Sequence, residues 1–435
     1  MSERVAAPDG PKSPWLVSPV IDMMLGAGGI YIIIAVVLGA AGRADIVDPS
    51  MAACLALAIG GPHYGATLIR AYGTPQAREQ FKSIGTYATA ALLVAVIAAL
   101  WVPIIGALIV TLYFTWVSYH YSAQSYGVTR MFLARRGIVI DDRMRSALQW
   151  MFTTSALLWV VSIHTELPGR LPTPPTELYP LLRLGAPLMV GGPLMIALGI
   201  ALVGCAAYVT ARLVAARSLE KALPAVVLTV GQMTWFALPV LAIRTGALST
   251  LVPFATDSRA SIFLFVALTH ASQHLWVALH HAKKQNGGTE GTHFLRSLAA
   301  GSLVWGVPSL LLARGPVASE MGVAILIAGA VNVHHFALDG VVWKLRDPRN
   351  ASLVRNTRAV TVPQRGGMLV AVGAAVLATQ LIAVGIDREL GALGPYPDPD
   401  RVALIEPLAW LVGRDGPRLR SARLASEVAA GRCDE

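Results

Sequence analysis

Residues Thr269 to Lys284 read THASQHLWVALHHAKK, an apolar stretch carrying His270, His274, His280 and His281. At ~100° per residue a helix sets His270, His274 and His281 on nearly one face and turns His280 away. Histidine inside a membrane-length segment is costly, and it faces a protein interior or a cavity rather than lipid. The stretch therefore implies a helix held within a membrane bundle and a ligand for its imidazoles.

Composition agrees with a membrane setting. Of 435 residues, 55% are hydrophobic and 14% charged, and the mean hydropathy is +0.58. A soluble domain carries about 25% charged residues. The net charge of +10 does not signal nucleic acid, because the basic residues sit in loops between apolar runs, where they set topology. Cys54, Cys205 and Cys433 are too scattered for a disulfide framework or a cysteine metal motif. The polar start shows no cleavable signal pattern.

Eleven apolar stretches have the length to cross a ~30 Å hydrocarbon core: 20–42, 50–69, 85–101, 104–129, 146–163, 187–211, 222–243, 260–282, 297–313, 321–343 and 367–386. The expected fold is an all-α, polytopic transmembrane helix bundle of about eleven spans. It divides into a cytoplasmic N-terminal segment (1–19), a membrane domain (20–387) and an extracytoplasmic C-terminal tail (388–435). Alternate loops hold 22 of the 35 Lys and Arg residues on one side against six on the other. By the positive-inside rule the N-terminus is expected in the cytoplasm and the C-terminus outside. In a bacterium the membrane would be the inner one.

With that topology, the second, fourth, eighth and tenth spans run inward, and each carries histidine in its middle or inner part. His63, His120, the 270–281 set, and His334 with His335 converge on the inner half of the bilayer. His164 and His293 read as surface residues. His63-Tyr64-Gly65-Ala66 echoes His120-Tyr121-Ser122-Ala123, and His274 and His335 each precede a lysine (Lys283, Lys344) by nine residues, a hint of a duplicated hairpin.

The tenth span ends AVNVHHFALDGVVWKLRD. Asn332, His335 and Asp339 share a face, and His335 with Asp339 is an i, i+4 pair suited to metal ligation or to a ligand and its orienting carboxylate. His334 is turned ~100° away, toward a second metal or another helix. His270 and His274 form an HxxxH pair one turn apart, able to serve one metal or one each of a close pair. His280 and His281 lie further along, capping a site at the interface or forming a solvated helix end. Trp116, His120 and Gln124 line one face of the fourth span, and Gly60, Gly61 and Pro62 loosen the second before His63. The expected ligands are His63, His120, His270, His274, His334, His335 and Asp339, with His280 and His281 as further candidates. Tyr64, Gln124, Gln273 and Asn332 are expected to support them by hydrogen bonding. Imidazole suits iron, copper, zinc and haem.

The HxxxH element and the two HH pairs resemble the histidine-rich membrane desaturases and hydroxylases. That resemblance implies two irons at the cytosolic face, with His270, His274, His280, His281, His334 and His335 carrying over. The later boxes of that class read HxxHH, whereas positions 278 and 331 here are Ala278 and Val331, and its chains have fewer spans. The scatter of histidines over several spans is also similar to membrane carotene-cleaving dioxygenases and to haem-copper oxidase main subunits.

The sequence thus leads to a metal-dependent, iron-using membrane oxidoreductase of oxygenase, desaturase or hydroxylase type. It would take a lipid-like substrate and a cytoplasmic electron donor docked on basic loops. The alternatives are a transporter or channel relaying protons or metal ions through His and Asp339, and a haem-binding electron-transfer subunit.

Overall fold

A computed structural model describes residues 14–40, 55–165, 179–215, 218–237, 259–286, 289–312, 320–343, 367–395, 397–411 and 416–431. Within them the chain is all-α. Only one isolated bridge, Thr165 with Ala186, has β geometry among the described residues. The helices are α1 Gly29–Ala40, α2 Gly61–Tyr72, α3 Pro75–Ser83, α4 Thr89–Ala99, α5 Pro103–Arg135, α6 Asp142–His164 and α7 Leu188–Ala215. They continue with α8 Leu223–Gln232, α9 Arg259–Asn286, α10 Glu290–Leu312, α11 Glu320–Val342, α12 Gly367–Ala392, α13 Pro399–Leu411 and α14 Pro417–Ala429.

Six described helices are long and apolar enough to cross a membrane: Ala77–Ala99 (from α3 into α4), α5, α6, α7, Ile325–Val342 of α11 and Val370–Ala392 of α12. They fall on six of the expected stretches, and the structure does not support a count of about eleven. The stretch 20–42 is divided by a π turn, Asp22–Gly26, and by Gly28 at φ +74°. Helix α1 has 12 residues among those described. The stretches 50–69 and 222–243 contain π turns, Ala56–Gly60 and Met233–Ala237, as the spanning helix Ala77–Ala99 does at Ile84–Ala88. Helix α9 has 28 residues, ample length for a crossing.

The outer surface fits lipid. Val94 (67% exposed) on α4 and Ile200 (68%) and Val203 (67%) on α7 would form costly apolar patches in water. Inside, the long helix α5 belongs to two cores. One joins it to α6, α7 and α8 through Phe132, Leu148, Phe152 and Leu228, and the other to α11 through Tyr113, Val117, Leu326 and Phe336. Helices α2 and α10 approach at glycine: a Cβ on Gly65 would lie 1.7 Å from the Ser297 carbonyl oxygen, and one on Gly301 1.7 Å from that of Gly61. Small residues at such crossings let backbones touch. Asp22 ties the N-terminal segment over α9, accepting from the Leu16 and Val17 amides and from Trp276 Nε1 at 3.0 Å.

Beyond residue 388, α12 runs on to Ala392, and α13 and α14 pack against it through Ile386, Val402, Ile405, Ala409 and Leu419. The sequence offered no structure for this segment. Cys205 is half-buried, and Cys54, Cys433 and Lys344 lie outside the described residues.

Candidate metal centre

Four helices meet at one buried cluster. Helix α2 supplies His63, α5 His120, α9 His270 and His274, and α11 His335 and Asp339, all buried. The His63 ring lies 4.9, 4.4 and 4.4 Å from the rings of His270, His274 and His335. His120 Nε2 stands 3.2 Å from His270 Nε2. Asp339 Oδ2 is 3.3 Å from His335 Nε2, 3.6 Å from His274 Nε2 and 3.8 Å from His120 Nε2. Two groups have one donor atom per residue within 4.8 Å of one another: His63, His270 and His335, and His120, His335 and Asp339. His335 belongs to both.

The local sequence explains the aim of each side chain. His270 and His274 are one turn apart, as are His335 and Asp339, so each pair points the same way. On α2, Gly61, Gly65 and the adjoining face press against α10, which directs His63 and Thr67, two residues either side of Gly65, into the cluster.

The cluster has a hydrogen-bonded surround. Thr67 Oγ1 donates to Asp339 Oδ1 at 2.7 Å, which leaves Oδ2 to face the histidines. The Tyr64 hydroxyl donates to Asn332 Oδ1 at 2.7 Å, and Asn332 Nδ2 to the Ala328 carbonyl at 2.8 Å. Gln124 Nε2 donates to the His270 carbonyl at 3.0 Å and to Gln273 Oε1 at 2.8 Å. Gln273 Nε2 donates to the Gly26 carbonyl at 2.8 Å. Tyr121 stacks on His270 at 4.1 Å, and Phe336 on His120 at 4.3 Å.

The donor chemistry fits a metal ion. His63 Nδ1, His270 Nδ1, His274 Nδ1 and His335 Nε2 are shielded from solvent and have no hydrogen-bond partner among the described residues, the last despite its approach to Asp339. Buried polar nitrogens are normally satisfied, and four in one cluster call for a shared ligand. Five imidazoles and one carboxylate suit a transition metal better than magnesium or calcium, which prefer oxygen. Haem fits less well. Among the described residues the rings touch one another edge to face.

Of the residues singled out in sequence, His63, His120, His270, His274, His335 and Asp339 come together, with Tyr64, Gln124, Gln273 and Asn332 around them. Three do not join. His334 points to α4, its Nε2 2.8 Å from Thr89 Oγ1. His281 is engaged by Arg70, whose Nη1 donates to its Nδ1 at 2.7 Å, and a guanidinium there opposes a metal cation. His280 stays partly exposed at the basic end of α9. Thus only His270, His274 and His335 of the desaturase-like set enter the cluster. His164 and His293 are buried, not on the surface. His164 Nε2 lies 3.0 Å from Thr115 Oγ1 and its Nδ1 accepts from the Leu184 amide, so it fastens the end of α6. Sequence reading missed Thr67 and Trp343. Thr67 is four residues after His63, and that i+4 relation was its available signal.

A cavity of about 250 Å³ opens on the cluster between α5, α9 and α11. His120, His274 and Asp339 form its floor, and Val128, Met131, Val277 and Trp343 its apolar walls. Met131 is eleven residues beyond His120, so the cavity reaches ~16 Å along α5. Trp343 closes one side, with Arg70 stacked 4.3 Å over its ring.

No protein-family model matches the chain, and no match was found among curated proteins or solved structures.

Proposed function

We propose that the protein is an integral-membrane, non-haem iron enzyme that oxidises a lipid-like substrate with dioxygen. The observation that carries this reading is the buried set His120, His335 and Asp339 at the floor of an apolar cavity. Two histidines and one carboxylate with open positions are the donor set of non-haem iron oxygenases. His63, His270 and His274 extend that set and leave room for a second ion. Iron held there would supply the oxidising chemistry, abstraction of hydrogen from an unactivated C–H bond. The chain supplies the rest. Asp339, fixed by Thr67, offsets metal charge; Gln124, Gln273 and Asn332 hold the ligand-bearing helices in register; Val128, Met131 and Val277 guide an apolar chain to the floor and exclude water.

The membrane orientation belongs to the same proposal. The lysine and arginine bias puts the cavity mouth, at the C-terminal ends of α5, α9 and α11, on the cytoplasmic side. A soluble electron donor would dock there on basic residues such as Arg130, Lys283 and Lys284. The kinship with histidine-rich desaturases and hydroxylases is proposed at the level of chemistry.

Metal analysis of the purified protein with its optical spectrum tests the reading. Tightly bound iron without a Soret band is expected. A Soret band would replace the proposal with a haem subunit, and protein purified without bound transition metal would favour transport through the His and Asp relay.

A further inference from the structure

Helix α13 is apolar on two sides, and its packing accounts for one of them. Val402, Ile405 and Ala409, at i, i+3 and i+7, share a core with Leu419 of α14 and with Ala383 and Ile386 of α12. The other side carries Ala403, Leu404, Pro407 and Leu408, all exposed among the described residues, with Trp410 at its edge. Leu404 is 73% exposed and Trp410 64%. The one charged residue between 402 and 410 is Glu406, and it turns to Arg423 of α14, 3.2 Å away. A contiguous apolar face of this kind, left open to water, is unfavourable and marks a contact surface.

The place of α13 along α12 decides what that surface meets. The apolar run of α12 ends at Ile386, and Asp387, Arg388 and Glu389 follow. Charged side chains are costly in hydrocarbon, so this triplet marks the headgroup level. Arg401, in the first turn of α13, is paired with Glu389 at that level. Ala383 lies four residues before Asp387, ~6 Å nearer the bilayer centre. Interfacial helices bury their apolar residues to the same extent, ~5–10 Å into the boundary between headgroups and acyl chains, and Trp concentrates there. The contact is with the flank of α12 and not its tip, because Ile382, Ile386 and Leu390, at i, i+4 and i+8, all take part. The far side of α13 therefore points away from α12 along the membrane plane, toward lipid.

We infer that α13 is a membrane-contact helix whose outer face, from Ala403 to Trp410, is seated in the headgroup–acyl boundary of the leaflet at which α12 ends. The partner it takes is phospholipid. The inference stands apart from the metal cluster, and its failure would leave that reading untouched.

Photolabelling of the full chain tests it in bilayers of phosphatidylcholine, a fraction of which carries a diazirine in its acyl chain. After illumination and digestion, mass spectrometry should find adducts on residues 399–411 as abundant as on α7 around Ile200 and Val203. The loop at Val139, 92% exposed and outside the spans, should carry about tenfold fewer, because acyl chains are confined to the ~30 Å core. Adducts on α13 no more abundant than at Val139 would overturn the inference. A spin label at Leu404→Cys, in a chain whose three native cysteines are replaced by serine, gives an independent reading. Greater access to dissolved oxygen than to a water-soluble nickel chelate is expected. The reverse order would place the face in water, and exclusion of both reagents would place a second protein or a second copy of this chain against it. Either result would overturn the assignment to lipid.

Discussion

Gly65→Ala is a perturbation of one methyl group, placed where two helix backbones touch. A Cβ at this position would sit 1.7 Å from the Ser297 carbonyl oxygen and 2.7 Å from the Gly301 amide nitrogen. Both neighbours are main-chain atoms of α10, so neither can rotate aside as a side chain would. Restoring van der Waals separation requires α2 to retreat by about 1.5 Å, whereas metal–ligand distances tolerate only about ±0.2 Å. The retreat carries His63 and Thr67, on the opposite face of α2, into the cluster. Overpacking of a close interface costs about 1–3 kcal/mol, and an obstacle made of backbone belongs at the upper end. Gly65→Ala is therefore expected to lower the melting temperature of the detergent-solubilised protein and to reduce bound metal at least tenfold. Gly204→Ala on α7 is the control, because a Cβ there meets nothing within 4 Å and alanine favours a helix by up to ~1 kcal/mol. Thermal unfolding followed by metal analysis per chain reads both quantities. A Gly65→Ala protein with wild-type melting and metal content would refute the close α2–α10 crossing, and with it the argument for how α2 aims His63.

Four further outcomes follow from the cluster geometry. His335→Ala should abolish bound metal, because His335 belongs to both donor groups, while His334→Ala, which loses its contact with Thr89, should keep it; metal analysis of the pair decides. His274→Ala should lose metal and activity and His281→Ala retain most of the metal, and the opposite ranking would move the site to the end of α9. Thr67→Val leaves Asp339 Oδ1 without its donor and is expected to lower metal affinity ~10–100-fold, the usual effect of losing a ligand's supporting bond, with Thr67→Ser restoring it; equal affinities for Thr67→Val and wild type would remove Thr67 from the site. A reporter active only in the cytoplasm, fused at Glu435, should stay silent, and activity there would reverse the assumed orientation of the final span.

How far the site was legible follows from the kind of signal each residue gave. His270 with His274, and His335 with Asp339, were visible because helical periodicity fixes the common aim of residues four apart. His63 and His120 required a further step, the matching of depth across spans, and the charge bias of the loops supplied it. His334 and His281 were misplaced for a single reason: periodicity gives direction around one helix axis but not the identity of the neighbour in that direction. For His334 the neighbour is Thr89, and for His281 it is Arg70. Hydropathy does not register π turns: those at Asp22–Gly26 and Met233–Ala237 lie within apolar runs and change no side-chain average. The hydrophobic runs 85–101 and 146–163, free of strong polar interruption, were located correctly.

The same histidines that mark the site lower the hydropathy of α9, and this links assembly of the fold to its ligand. A helix with four histidines and a glutamine along its inner half gains little from entering lipid alone. It becomes stable in the bundle only when those groups find partners. Some do so within the protein, as Gln273 does with Gly26 and Gln124. The shielded nitrogens of His63, His270, His274 and His335 do not, and no single rotation of a ring supplies four partners together. A metal ion supplies one for several of them by accepting lone pairs at one point, as the grouping of His63, His270 and His335 allows. Any species that binds only the folded state stabilises it by mass action. Removal of the ion by chelation should therefore loosen α2, α9 and α11 against α5 before it affects α6 and α7, which carry no residue of the cluster. Protection of backbone amides from exchange, measured segment by segment with and without chelator, would show that order. Uniform loss over all the helices would instead mean that the cluster and the bundle unfold as one unit.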